Sequence, residues 1–331
     1  MRGAARSPER TVVRGLIGVL AGIGVAALVW VLLSSGHTRA PQARRSTVPK
    51  PASKPLPSFP GTARNCIARP SACGYPDATN SGVPAGTHLL PESGVITAGT
   101  PGATIANIDL HGTINVTADN VTIRDVQITN GNGQLDRNNA ITIQPGIKST
   151  VVEYTTMRGY DCQGRSLLAG VWNMAGDELT IDHVYGTCLD DILHGSGTLQ
   201  NSYSIDNANI PNDHYEPVAY DGGAGAITVN HDTLLNAHEQ TAAVFVTCYG
   251  GPVTSETVQN SLLAGGDYVI YGPTANIACS PATGHQTVVN NRFSRLYYRQ
   301  GGHYGAAADF QAWQTTWKGN VWDDTLAPAG I

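Results

Sequence analysis

The run ITVNHDTL, Ile227 to Leu234, is one copy of a pattern that recurs along most of the chain. The other copies are VTIRDVQI from Val121, TVVEYTTM from Thr150, LTIDHVYG from Leu179, GTLQNSYS from Gly197, TVQNSLL from Thr257, TVVNNRF from Thr287 and TWKGNVW from Thr316. Aligned on Ile123, Val152, Ile181, Leu199, Val229, Val258, Val288 and Trp317, they are 29, 29, 18, 30, 29, 30 and 29 residues apart. Two places after these anchors stand Asp125, Tyr154, His183, Asn201, His231, Asn260, Asn290 and Gly319. All but Tyr154 are Asn, Asp, His or Gly, the residues that tolerate positive φ. A left-handed bend once per repeat is therefore expected, which assigns His183 and His231 to turns, and the 18-residue step predicts a tight coil.

A second run precedes each bend: NAITIQ, AGVWNM, DDILHG, EPVAYD, AAVFVT and DYVIYG. Counted from Asn139, Ala169, Asp190, Glu216, Ala242 and Asp267, their third residues are Ile141, Val171, Ile192, Val218, Val244 and Val269, all β-branched. Such a column is what an inward-facing stack of parallel strands requires. Short strands, special bends and no helical period, repeated every thirty or so residues, predict an all-β solenoid of parallel strands. The leucine spacing of a leucine-rich repeat and the four-strand period of a propeller are both missing.

This coil pattern resembles the single-stranded right-handed parallel β-helix of the pectin-lyase-like superfamily. The stretches ACGYPDATNSGVPAGT (Ala72 to Thr87), NRFSRLYYRQGGHYG (Asn291 to Gly305) and WKGNVWDDT (Trp317 to Thr325) are similar to secreted bacterial right-handed β-helix repeat proteins. The likeness covers residues 64–331. It implies a fold and leaves function open, because this scaffold carries lyases, hydrolases, adhesins and binding proteins.

Charge divides the chain. Of its 331 residues, 1–70 hold eleven Lys or Arg and one acid (net +10), while 71–331 hold nine and twenty-four (net −15). An acidic body does not neutralise phosphates, so no nucleic-acid partner is expected. Charged residues are 14% of the total and Gly numbers 38 without a three-residue period, which excludes coiled coil and collagen. Arg2, Arg6, Arg10 and Arg14 precede a charge-free run from Gly15 to Leu33. Roughly 20 apolar residues cross a bilayer, and the positive flank stays inside. The expected order is a basic cytoplasmic tail (1–14), a transmembrane signal anchor (15–33), a Pro-rich linker (34–62) and an extracellular β-helix domain (63–331), single-pass and monomeric. A cleaved signal peptide and a secreted protein form the alternative, with Ser34 and Gly36 as small residues for cleavage. Cys66, Cys73, Cys162, Cys188, Cys248 and Cys279 all follow the membrane run, and an even count outside the cytoplasm predicts disulfides, most simply between sequence neighbours.

Equivalent residues on stacked coils lie about 4.7 to 4.9 Å apart. The aligned second runs therefore bring Asp190 and Glu216 onto consecutive coils, with Asp267 further along the same column. Asp191 is in the next column and His194 is expected beside Tyr220, with Asp221 just beyond. Asp213 and His214 lie immediately upstream of Glu216. Between Arg165 and Arg292 there is no Lys or Arg, against thirteen Asp or Glu and six His. The candidate catalytic residues are thus Asp190, Asp191, His194, Asp213, His214, Glu216 and Asp221, with Asp190 and Glu216 as acid and base of a glycoside hydrolase. LDDILHG resembles the paired-Asp motif of polygalacturonases, whose Gly-His-Gly and Arg-Ile-Lys motifs are missing. Shared carboxylates could also hold Ca²⁺, and no spacing suggests another metal. A lyase would need Arg158, Arg165 or Arg292 to reach the acids as base. Trp172, Tyr220 and Phe245 are candidate substrate contacts, His238 and Glu239 a second candidate site, and Trp317 and Trp322 a cap for the open end. The expected partner is a polysaccharide or cell-surface glycan. Hydrolysis is the first reading, a non-catalytic glycan-binding or adhesive module the second, and a polysaccharide lyase the third.

Overall fold

The computed structural model describes residues 65–131, 138–176, 178–208, 214–274 and 282–331. The expected tail, anchor and linker lie outside them, as do Asp213 and Cys279. No helix among the described residues is long and apolar enough to cross a membrane.

The described chain forms 24 strands and two short 3₁₀ turns, and every strand ladder is parallel. Each coil contributes three strands rather than the two visible as runs, because the bend cuts the first run into two. Face A stacks Asn139–Ile143, Leu167–Asn173, Leu189–His194, Val218–Tyr220, Val244–Val246, Tyr268–Tyr271 and Gly305–Ala308. Face B stacks Thr150–Glu153, Leu179–Asp182, Gly197–Gln200, Ala226–Asn230, Ser255–Gln259, Gln286–Val289 and Thr315–Lys318. Face C stacks Thr156–Gly159, Tyr185–Thr187, Tyr203–Asp206, Thr233–Asn236, Leu262–Gly265, Arg292–Phe293 and Val321–Trp322. This connectivity is that of a parallel β-solenoid, and the tight coil is present: Leu199 pairs Ile181 across 18 residues.

All eight expected bend residues have positive φ, from 47° at Tyr154 to 70° at Gly319, and Asn107 at 59° adds one more. Each joins face B to face C. Just after the bend, the amide cannot reach a strand partner, so a side chain of the next coil accepts its hydrogen. The amides of Val184, Ser202, Asp232, Ser261 and Asn291 donate to the side-chain oxygens of Ser202, Asp232, Ser261, Asn291 and Asn320, at 2.7 to 3.0 Å.

The inward column corrects the expected alignment at two places. Ile141, Val171, Val218 and Val244 stand in one row, but its other members are Leu193 and Ile270, not Ile192 and Val269. The amides of Ile192 and Leu193 both donate to the Pro217 carbonyl, at 2.8 and 3.3 Å. Those of Asp267 and Tyr268 both donate to the Thr241 carbonyl, at 2.9 and 3.3 Å. Two successive amides on one carbonyl mark a bulge, which inserts a residue and moves everything after it by one place. All six expected core residues are nevertheless buried.

Cys66 pairs with Cys73 and Cys162 with Cys188, both sequence neighbours; Cys248 is also disulfide-bonded. The first disulfide closes a strap on the outside of face C. Its beginning is held at the last coils, where the Cys66 amide donates to Asp323, which also pairs with buried Arg292 at 3.0 Å. The strap then runs back: His231 Nε2 contacts the Gly74 carbonyl at 2.7 Å, and the Val83 amide donates to Thr156 Oγ1 at 3.1 Å.

Candidate functional site

Face A builds one outward row in register: Asn115, Thr142, Trp172, His194, Ala219, Phe245, Tyr271 and Ala308. Trp172 and Phe245, two of the three candidate substrate contacts, stand in this row. His194 stands beside Ala219, not Tyr220, because the bulge at Ile192 shifts it by one residue. Its imidazole lies flat on the Trp172 indole, with ring centroids 3.9 Å apart and planes 5° apart. Its Nδ1 contacts Asp191 Oδ2 at 2.7 Å, so a buried carboxylate fixes the ring on its neighbour. Tyr220 points away from this row. It is buried, and its hydroxyl donates to the Gly223 carbonyl and accepts from the Gly225 amide.

The acids expected to work as a pair are inside the wall. Asp190 is 2% exposed and Glu216 8%, and Asp190 Oδ1 accepts the Glu216 amide at 3.1 Å. The two are adjacent, as the alignment requires, but the contact runs through the main chain. Asp221 is exposed and accepts from Thr247 Oγ1 at 3.4 Å. His214 is exposed and lines the next feature of this face.

That feature is a cleft of about 360 Å³, lined among others by His214, Phe245, Tyr249, Asp267, Tyr271 and Asp309. Its size is that of a small-ligand site. Burial, reinforced by the charges of Asp267 and Asp309, pushes the Tyr271 hydroxyl above the usual tyrosine range, so it remains a proton donor. Asp309 is exposed at the cleft's edge, and the partial covering of its carboxyl by the cleft walls raises its pKa. The cleft thus holds two acids beside a phenol. Asp309 follows the last strand of face A, beyond the second runs aligned above, which is why the repeat did not bring it forward; the sequence signal is ADF after GAA at Gly305 to Phe310.

The second candidate site lies after face C. The His238 ring stacks on Tyr215 at 3.7 Å, its Nε2 is 3.8 Å from Asp206 Oδ1, and burial lowers its pKa, favouring neutral imidazole. Glu239 pairs instead with His303. Among the described residues no group of three or more His, Cys, Asp or Glu could hold a metal ion. The basic residues a lyase would need are engaged elsewhere: Arg292 with Asp323, Arg165 with Asp161, and Arg158 with Thr129.

No family model, curated protein or solved structure matches the chain.

Proposed function

We propose that this chain is a membrane-tethered extracellular β-helix of the pectin-lyase-like type that holds a neutral or weakly charged polysaccharide along face A. The supporting observation is the outward row from Trp172 to Tyr271, in which four of five consecutive coil positions carry rings. At one coil per 4.7 to 4.9 Å, that row extends roughly 19 Å. A row of rings bordered at its Tyr271 end by Asp267 and Asp309 suits sugars, which present C–H faces and hydroxyl rims. The charge-free run after four arginines supports the tether.

Binding to a panel of soluble neutral polysaccharides tests the reading. Trp172→Ala and Phe245→Ala should each weaken the binding polymer about three- to tenfold, the worth of one ring contact. Unchanged affinity in both variants would remove face A as the binding surface.

Hydrolysis is a second reading, favoured by two carboxyls, Asp309 and Asp267, lining one cleft. Asp309, whose carboxyl is raised from the usual aspartate value, would protonate the leaving oxygen, and Asp267 would serve as base. It replaces the Asp190 and Glu216 pair, which is buried. Turnover that disappears in Asp309→Asn and Asp267→Asn while binding persists supports it; binding without turnover in the unaltered protein leaves a glycan-binding module. A lyase is disfavoured by the engagement of Arg158, Arg165 and Arg292.

A further inference from the structure

The cleft at the end of the ring row carries two carboxylates that the fold does not use. The Asp267 main chain is engaged, its amide donating to the Thr241 carbonyl at 2.9 Å, and the Asp309 carbonyl accepts from the Thr274 hydroxyl. Neither carboxylate has a hydrogen bond or ion pair among the described residues. Asp161, Asp323 and Asp324, by contrast, each have an arginine. The charges of Asp267 and Asp309 both act on the Tyr271 hydroxyl, so the two acids and the phenol lie close together. No Lys or Arg lines the cleft among the described residues, and none occurs in the sequence from Ser166 to Asn291. His214 is the one described lining group that can take a positive charge.

Rings form much of the remaining wall. Phe245 and Tyr271 meet edge to face, with centroids 5.4 Å and planes 75° apart, and Tyr249 stands exposed beside them. Ring faces attract cations, and a carboxylate without a partner is best satisfied by a charged N–H donor. A metal ion is the poorer occupant, because no group of three or more His, Cys, Asp or Glu among the described residues could hold one.

We propose that this cleft binds a protonated primary amine carried on a sugar ring, so that the glycan lying along face A is one with free amino groups. The ammonium has three N–H donors for Asp267, Asp309 and the Tyr271 oxygen, and the sugar ring rests on Phe245. The carrier rests on the polysaccharide reading; the amine site does not. The net charge of −15 on residues 71–331 favours the same ligand from a distance, but only the cleft supplies two unpartnered acids and rings together.

The probe is methyl β-glucosaminide, titrated calorimetrically into the full chain in detergent below the pKa of the sugar amine, beside its N-acetylated twin. The expected result is saturable binding of the free amine, about tenfold or more tighter than that of the twin. Asp267→Asn and Asp309→Asn should each lower that affinity by about tenfold or more. Asparagine tolerates the positive φ of 66° at position 309, so the backbone survives the change. Glu92→Gln removes the same charge from an exposed position on the first strand and should alter affinity by less than about twofold. Ethanolamine, an amine without a ring, should bind about tenfold more weakly than the sugar. If a neutral polymer ignores Trp172→Ala while the amine still requires Asp267, the row fails and the cleft stands. The amine site is overturned if no saturable binding occurs at millimolar sugar, if the twin binds equally, or if Glu92→Gln costs as much as the two Asp variants. Equal binding of ethanolamine overturns the sugar as carrier.

Discussion

Tyr154 holds φ at 47° in a row where every other bend residue is Asp, Asn, His or Gly. A left-handed conformation costs an ordinary L-residue roughly 1–2 kcal/mol, and Tyr154 recovers part of this by stacking on His183, with centroids 4.9 Å apart. Tyr154→Asn should therefore raise stability by about 0.5–1 kcal/mol in urea unfolding; a loss would mean that the ring contact outweighs the backbone. Two interior acids permit a prediction with pH. Asp232 accepts the amides of Ser202 and Asn230 in the ladder otherwise made of Ser and Asn, and Glu256 is fully buried on face B with no hydrogen-bond partner for either oxygen among the described residues. Burial raises both carboxyls well above their usual range. The folded chain keeps these protons while the unfolded chain releases them above pH ~4, so their stabilisation is complete below that and declines as pH rises towards the folded values. Each group then costs up to about 1.4 kcal/mol per pH unit. Asp232→Asn with Glu256→Gln should melt higher than the parent at pH 7 and no higher at pH 3. A gain that is equal at both pH values would contradict the buried-acid account.

The bends were legible because residue type reports directly on φ, and the parallel strands because β-branched residues recur at one offset. Registration beyond the bulges was not legible, for a specific reason. In DDILHG both Ile192 and Leu193 are apolar, and in DYVIYG both Val269 and Ile270 are, so a slip of one residue leaves a plausible core on either side. The slip matters for the site: it puts His194 on the Trp172 row rather than beside Tyr220 and lets Asp191 hold it. The acceptors following each bend could have been found, since Ser202, Asp232, Ser261, Asn291 and Asn320 occupy one aligned position. The strap could not, because its contacts join residues 73, 157 and 257 places apart, outside the repeat's period. Its anchor is the buried Arg292–Asp323 pair, with side chains 3% and 1% exposed. Removing one member of a buried pair leaves an uncompensated charge, at about 3–5 kcal/mol. Asp323→Asn should lower stability by that order and admit rapid hydrogen exchange at Cys66 to Tyr75 before face A exchanges. Uniform loss of protection along the whole domain would show that the strap is not a separate unit.

Across the domain, stability accumulates from neighbouring coils, and so does charge. The interval from Arg165 to Arg292 contains no positive side chain of Lys or Arg, and it supplies most of the outward row, from Trp172 to Tyr271. A polymer lying on that row experiences the summed field of its coils more than any single acid. For an uncharged glycan this field has little consequence, and its affinity should stay within about twofold between 0.05 and 0.5 M salt. For a polyuronate of the same length the field is repulsive, and it weakens as the Debye length falls from roughly 14 Å to 4 Å over that range. Polyuronate binding should therefore be the weaker at low salt and strengthen as salt is added, the reverse of an electrostatically held complex. Titrating both polymers against salt separates the cases: if the acidic polymer binds best at low ionic strength, positive groups outside the outward row must dominate its capture, and face A would not be the surface that selects the glycan.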